Sequence, residues 1–181
     1  MTAMAAPALH RETCVTSRLL EYFSEKELTT QIGHEREAWP IALAKELVDN
    51  ALDACEAAGI PPVVRVAFED DALIVADNGP GLPESVLRRS LDYAVKVSTN
   101  SRYVSPTRGQ QGNALKTVWA VPFVLDGERG RVTVETPGVA HVVDVRLDRL
   151  AQEPRLTLVR SPLPERKNGT SVRVCWPRLA S

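Results

Sequence analysis

Apolar residues recur along this chain first at helical spacing and later in alternation, so the two halves predict different elements. Residues 18–28 form a short helix in this reading, capped by Thr16 or Ser17, with Leu19, Leu20 and Phe23 on one face. A polar stretch covers 29–38. The spacing then predicts a strong helix over 41–58, with Pro40 in its first turn and Gly59 just past its end. Pro61-Pro62 enforces the break. Residues 63–68 and 72–76 read as two strands of a hairpin joined by Glu69-Asp70-Asp71, and a helix is expected from about Pro83 to Tyr93. Residues 98–112 are polar and broken by Pro106 and Gly109, too long for a simple connector, and read as a mobile functional loop or lid. A helix from Asn113 to about Ala120 follows. The remainder alternates with period two over 131–135, 139–146, 155–160 and 170–175, which predicts antiparallel strands. This order gives an α/β (α+β) two-layer sandwich: a mostly antiparallel mixed sheet covered on one face by helices.

Composition narrows the class of protein. The chain has 181 residues, enough for one domain over 16–181, preceded by a loose, Ala-rich arm over 1–15. With 44% hydrophobic and 25% charged residues it builds a core and is unlike a disordered chain. The 22 basic and 23 acidic residues, a net charge of -1, exclude a generally basic nucleic-acid coat. Cys14, Cys55 and Cys175 lie far apart with no C-x-x-C pair, which argues against a disulfide framework or a cysteine zinc site. No apolar run approaches a membrane span and the start lacks a secretory signal, so the expected location is the cytoplasm, with no membrane partner.

Candidate chemistry concentrates in four segments. On the 41–58 helix, Glu46, Asn50 and Asp53 fall within roughly 60° of one another. Leu43, Leu47, Ala51 and Ala54 run alongside, and Val48, Leu52 and Cys55 widen the apolar surface. A Glu and an Asn boxed in this way need partners, such as a metal ion and water, because unpaired burial costs about 2 kcal/mol or more each. A solvated face of an amphipathic helix fits the same pattern, and both readings stay open. Asp77-Asn78-Gly79-Pro80-Gly81 sets a carboxylate at the end of a Val/Ile-rich strand. An Asp there suits a base amino group, although Asp-Asn-Gly is also an ordinary turn. Arg108-Gly109-Gln110-Gln111-Gly112-Asn113-Ala114-Leu115-Lys116 places two glycines before a helix, where free N–H groups bind phosphate, but lacks the Walker spacing. Asn168-Gly169-Thr170, taken alone, is a turn.

Together and in order, these segments resemble the N-box, the Asp-x-Gly-x-Gly box, the glycine lid and the terminal Gly-Thr of the GHKL ATPases, the superfamily of gyrase, chaperone, histidine-kinase and MutL domains. The resemblance runs from Glu46 to Val174. Lys45–Ala54, Asp77–Gly81 and Ser105–Gly112 look most like the ATPase (B) subunits of topoisomerase VI. The resemblance implies a Bergerat ATP-binding fold whose cofactors are ATP and Mg²⁺. It implies Glu46 as the general base that polarises the attacking water and Asn50 as the Mg²⁺ ligand. Asp77 would bind the adenine amino group, with Thr170 assisting through water, and Gly81, with Gly79 before it, would leave room for the nucleotide. Gly109, Gln110, Gln111 and Gly112 would wrap the triphosphate, flanked by Arg108 and Asn113, and Lys116 would add positive charge. Asp49 and Asp53 would tune Glu46 or water, or else pair on the surface.

Two departures qualify the implied activity. Ala114 stands where the family lid has its third glycine, and no segment up to Ser181 reads as the transducer that supplies a γ-phosphate lysine in topoisomerase VI. Hydrolysis in isolation is therefore expected to be slow, or to depend on a partner's lysine. The implied function is an ATP-binding, weakly hydrolysing switch controlling conformation or dimerisation, with DNA topology or processing as the family analogy. Its implied partners are a second copy or a protein supplying the transducer or DNA-cleaving function. The alternatives are a trans-acting protein kinase of the histidine-kinase or anti-sigma-factor type, and a nucleotide sensor without turnover. His10, His34 and His141 have no metal-site spacing and read as structural or solvated. Trp39, Trp119 and Trp176 read as packing residues, and the eight basic against four acidic residues over 144–178 as a solvated strand face or a basic one.

Overall fold

The computed structural model describes residues 22–93, 113–151, 153–164 and 168–177, so the 1–15 arm and the 98–112 lid lie outside the described residues. In chain order the elements are α1 (Glu25–Ile32), a 3₁₀ turn (Arg36–Ala38), α2 (Trp39–Ala58), β1 (Val64–Glu69), β2 (Ala72–Asp77), α3 (Glu84–Ser90), α4 (Asn113–Asp126), β3 (Arg129–Thr136), β4 (Val139–Asp148), β5 (Glu153–Pro162) and β6 (Ser171–Cys175). The six strands form one sheet ordered β1-β2-β6-β3-β4-β5. Every ladder among them is antiparallel. The last strand thus lies near the middle, where it joins the N-terminal hairpin to the C-terminal meander.

The elements follow the expected pattern with two corrections. Of the helix expected over 18–28, residues 18–21 lie outside the described residues and Tyr22 is helical, but the chain breaks at Phe23-Ser24 and a new helix begins at Glu25, capped by Ser24, which accepts the Glu27 N–H at 3.2 Å, the Ser-x-x-Glu spacing of a capping box. It runs on through part of the stretch expected to be polar coil. The helix after the lid was expected to stop near Ala120 but reaches Asp126 through Pro122. Burial of Val121 and Phe123 there offsets the ladder bond and fit that a mid-helix proline forfeits.

Helices cover one face of the sheet. Leu43 and Leu47 of α2 and Val118, Trp119 and Val121 of α4 pack with Leu73, Val75, Val132, Val134, Val143, Val145, Val172 and Val174. Trp39, Trp119 and Trp176 are all buried, as the sequence implied. Gly130 lets α4 lie directly on β3, since a Cβ there would sit 2.4 Å from the Phe123 nitrogen. The Trp119 indole N–H donates to Ser90 Oγ at 2.9 Å, which joins α4 to α3. His141, on β4, is buried with Glu84 Oε2 3.5 Å from its Nε2, and His34 is exposed.

The opposite face carries Arg129, Arg131, Arg146, Arg155 and Arg173, and acidic residues pair several of them. Asp144, almost fully buried, accepts hydrogen bonds from Arg146, Arg129 and Arg131 at 2.9, 2.9 and 3.0 Å. Burial pushes its pKa up, but those bonds prevail and hold it far below the usual carboxylate range. Because the folded value is depressed, the cluster stabilises the protein above the unfolded carboxylate pKa of about 3.9, and that stability drains away as pH falls further. Asp144→Asn is expected to cost about 1–3 kcal/mol at pH 7 and about 1 kcal/mol less near pH 3, as read from urea unfolding at the two pH values. A broad hollow of about 690 Å³, including Val142, Val159, Arg146 and Arg155, lies on this outer face, across the sheet from α2.

Candidate functional site

Three elements converge at one end of the helix-covered face. α2 begins at Trp39 with Pro40 in its first turn and ends at Gly59, as expected. Leu43, Leu47, Ala51 and Cys55 form its buried line, each one turn after the last. Beside that line Glu46, Asn50 and Asp53 are half-buried. The Asn50 Nδ2 is fully covered and has no hydrogen-bond partner among the described residues. A covered amide donor without an acceptor costs about 1–3 kcal/mol, so this stripe is not a plain solvated face. Asp49 points elsewhere and pairs with Lys45 at 2.7 Å. The hydrogen bond from that pair raises the Lys45 pKa.

β2 ends in Asp77, whose position is set by the chain around it. One carboxylate oxygen, Oδ1, accepts the Gly79 N–H at 2.7 Å and the Thr170 N–H at 3.1 Å. The Asp77 N–H in turn donates to the Thr170 carbonyl at 2.8 Å. This double clip joins the end of β2 to the start of β6, residues 93 positions apart. Gly169 makes it feasible: at φ 86° its Cβ would lie 1.8 Å from the Asp77 carbonyl oxygen. Gly81, at φ 91°, would place a Cβ 2.7 Å from Pro137 Cδ in the turn between β3 and β4. Asp77 Oδ2 takes no hydrogen bond among the described residues.

The Asp77 loop lies on α2. A Cβ on Gly79 would meet Cys55 Sγ at 3.2 Å and Ala54 Cβ at 3.8 Å. Glu46, Asn50 and Ala54 follow one another at four-residue steps, so they stack along one side of the helix over about 12 Å. The wall therefore runs from the Asp77 loop past Asn50 to Glu46. Asn78, read from sequence only as part of a turn, braces the preceding segment, because its Oδ1 accepts the Val63 N–H at 2.8 Å and its Nδ2 donates to the Pro61 carbonyl at 3.0 Å. Nothing in the tripeptide Asp-Asn-Gly signals that brace. Burial, with the Asp77 charge adding, raises the pKa of the neighbouring Cys55 thiol.

The structure thus brings Glu46, Asn50, Asp53, Asp77, Gly79, Gly81 and Thr170 to one region. Arg108, Gly109, Gln110, Gln111 and Gly112 lie outside the described residues, and Asn113 is the first residue of α4. Lys116 is buried, with its ammonium 5.8 and 5.7 Å from the ring centroids of Tyr22 and Tyr93. Burial lowers its pKa, against the pull of the Asp92 charge. The Tyr93 hydroxyl donates to the Lys116 carbonyl at 2.8 Å, which fixes this aromatic setting.

Among known proteins, the chain is 30% identical over 165 residues to the B subunit of type 2 DNA topoisomerase 6 from Natronomonas pharaonis, an alignment covering 86% of this chain and 20% of that protein. It is 33% identical over 137 residues to the same subunit from Pyrococcus furiosus, covering 71% and 24%, and 34% identical over 134 residues to that from Archaeoglobus fulgidus, covering 71% and 21%. The chain spans between a fifth and a quarter of the length of these relatives. Among solved structures it is similar to the B subunit of DNA gyrase from Myxococcus xanthus, with a TM-score of 0.48 at 16% identity over 84% of this chain and 41% of that one. No family model matches the chain.

Proposed function

The chain is a GHKL-type ATP-binding domain similar to a segment of the topoisomerase VI B subunits, and on that premise we propose that it binds Mg·ATP along the α2 wall, hydrolyses it slowly and acts as a nucleotide-controlled switch. The observation that carries this reading is the covered, unpartnered Asn50 amide between Glu46 and the Asp77 loop. Asp77 offers its free Oδ2 to the adenine amino group, while Oδ1 stays committed to two backbone N–H groups. Thr170, at the same clip, assists on the base side, and Gly79 and Gly81 leave the loop backbone close to the nucleotide. One helical turn further along, Asn50 faces the phosphates, and a second turn brings Glu46 to the water that attacks the terminal phosphate.

The donor set fits magnesium, a hard cation that takes amide, carboxylate, phosphate and water oxygens. No group of three or more His, Cys, Asp or Glu among the described residues could hold a metal ion by itself, so Asn50 would bind it together with phosphate oxygens and water. When bound, the ion neutralises phosphate charge. Glu46, Asp53 and Asp77 add no positive charge to this wall, so the rest must come from the lid, from Lys116 after rearrangement, or from a partner's lysine. That is the physical reason to expect slow turnover. The switch's output, in this reading, is dimerisation or a partner clamp in DNA topology or processing.

Calorimetric titration with ATP, ADP and GTP, with and without Mg²⁺, tests the pocket, with adenine nucleotides expected to bind and GTP not to. Asp77→Asn keeps an acceptor oxygen for the Gly79 and Thr170 clip but replaces the free oxygen by a donor. It is expected to weaken ATP binding by about 10- to 100-fold, the worth of a charged hydrogen bond, with unchanged circular dichroism. Equal ATP affinity in this variant rules out the assigned adenine contact.

A further inference from the structure

β1 is an outer strand of the sheet, and its apolar side is only partly covered by helices. Val66 stands opposite Val75 and Phe68 opposite Leu73, both core residues, yet Val66 and Phe68 are 42% and 51% exposed. In an antiparallel ladder every second residue of an outer strand also turns its N–H and C=O away from its neighbour. Free edges of this kind are templates for another strand, and proteins that do not use them block them with repelling charge or proline. β1 contains no proline, and its two charges are opposite in sign: Arg65 and Glu69.

That charge order selects one partner. When a second copy of β1 is laid antiparallel and centred on Ala67, Arg65 meets the other copy's Glu69 twice, and Val66 meets Phe68 twice. Sliding one copy by two residues sets Arg65 or Glu69 against Ala67 and loses the double Arg65–Glu69 pairing, and sliding it by four sets Arg65 against Arg65 or Glu69 against Glu69, so the other in-phase registers are less favourable. Arg65 is exposed and has no ion-pair partner among the described residues, whereas Glu69 already holds Arg173 at 2.6 Å. A second Arg on Glu69 completes an Arg–Glu–Arg cluster like that around Asp144. We infer that β1 is a homodimerisation edge, on which two copies of this chain pair antiparallel about Ala67 to make a continuous twelve-stranded sheet, independently of nucleotide.

Sedimentation equilibrium of the full chain without nucleotide, over about 1–100 µM, tests this. The wild-type chain is expected to be a dimer. Arg65→Glu and Glu69→Arg each place two like-charge pairs across the junction, and each is expected to weaken the dimer by about tenfold or more. An equimolar mixture of the two variants turns every one of those pairs into an opposite-charge pair, so a heterodimer of near wild-type affinity is expected. Because each variant is judged against the mixture, misfolding of either one shows as failure of rescue together with altered circular dichroism; Arg65→Lys, which keeps the charge, must then dimerise like the wild type. A monomeric wild-type chain, or a dimer indifferent to the single substitutions, overturns the proposal, as does failure of correctly folded variants to combine.

Discussion

Gly169→Ala is expected to lower the melting temperature by about 8–16 °C and to abolish nucleotide binding at concentrations that saturate the wild-type chain. The new Cβ would fall 1.8 Å from the Asp77 carbonyl oxygen and 2.6 Å from its carbonyl carbon, so backbone has to move rather than a side-chain tip. A left-handed φ of 86° adds about 1–2 kcal/mol for any residue with a Cβ. Together the displacement and the φ strain put the cost near 4 kcal/mol, the range reserved for substitutions that break a defined backbone contact. For a chain of this size each kcal/mol moves the melting point by about 2–4 °C. Gly127 provides the control: its φ is 88°, but a Cβ there meets nothing within 4 Å, so Gly127→Ala is expected to show the φ strain alone. If both variants melt alike, the contact at Asp77 is not what fixes Gly169. The loss of binding follows because the same displacement pulls Thr170 off Asp77 Oδ1 and frees the carboxylate to rotate.

How far the sequence foretold this site depends on whether a residue acts within its own element or across elements. The α2 stripe was legible because helical spacing alone brings Glu46, Asn50 and Asp53 together, with Pro40 and Gly59 marking the ends. The alternation of β3 to β6 was equally plain, since one face of each strand is buried. Sequence spacing was silent where a contact joins distant segments. The Asn168-Gly169-Thr170 turn reads as a turn by itself; only β6 inserted beside β2 makes it the clamp on Asp77. Asn78 as a brace for residues 61–63, and the aromatic setting of Lys116 between Tyr22 and Tyr93, depend in the same way on tertiary placement. The break at Phe23-Ser24 inside the expected 18–28 helix went unread for a different reason: Ser24 lies within the apolar pattern, yet with Glu27 three residues on it caps a new helix.

Glu46→Ala is expected to leave ATP affinity within about threefold of the wild type and to reduce the rate of phosphate release by about 10²–10⁴-fold. Glu46 lies two turns of α2 from the Asp77 end of the wall, so removing its carboxylate leaves the proposed adenine contact and the Asn50 amide in place. In the proposed mechanism its loss removes only the group assigned to orient and deprotonate water, an interaction made in the transition state rather than on binding, and so is expected to lower turnover while sparing affinity. Because Glu46 is only half-buried, its truncation opens no core cavity, and unchanged circular dichroism and ATP titration check that the fold survives. Label at the γ-phosphate separates the competing activities in the same experiment. Free labelled phosphate from the wild type, lost in the variant, supports hydrolysis. Label transferred to an added protein supports the kinase, and bound but intact ATP in both supports a sensor. A variant that releases phosphate at the wild-type rate removes Glu46 as the base, and the α2 wall then binds nucleotide without performing the chemistry assigned to it.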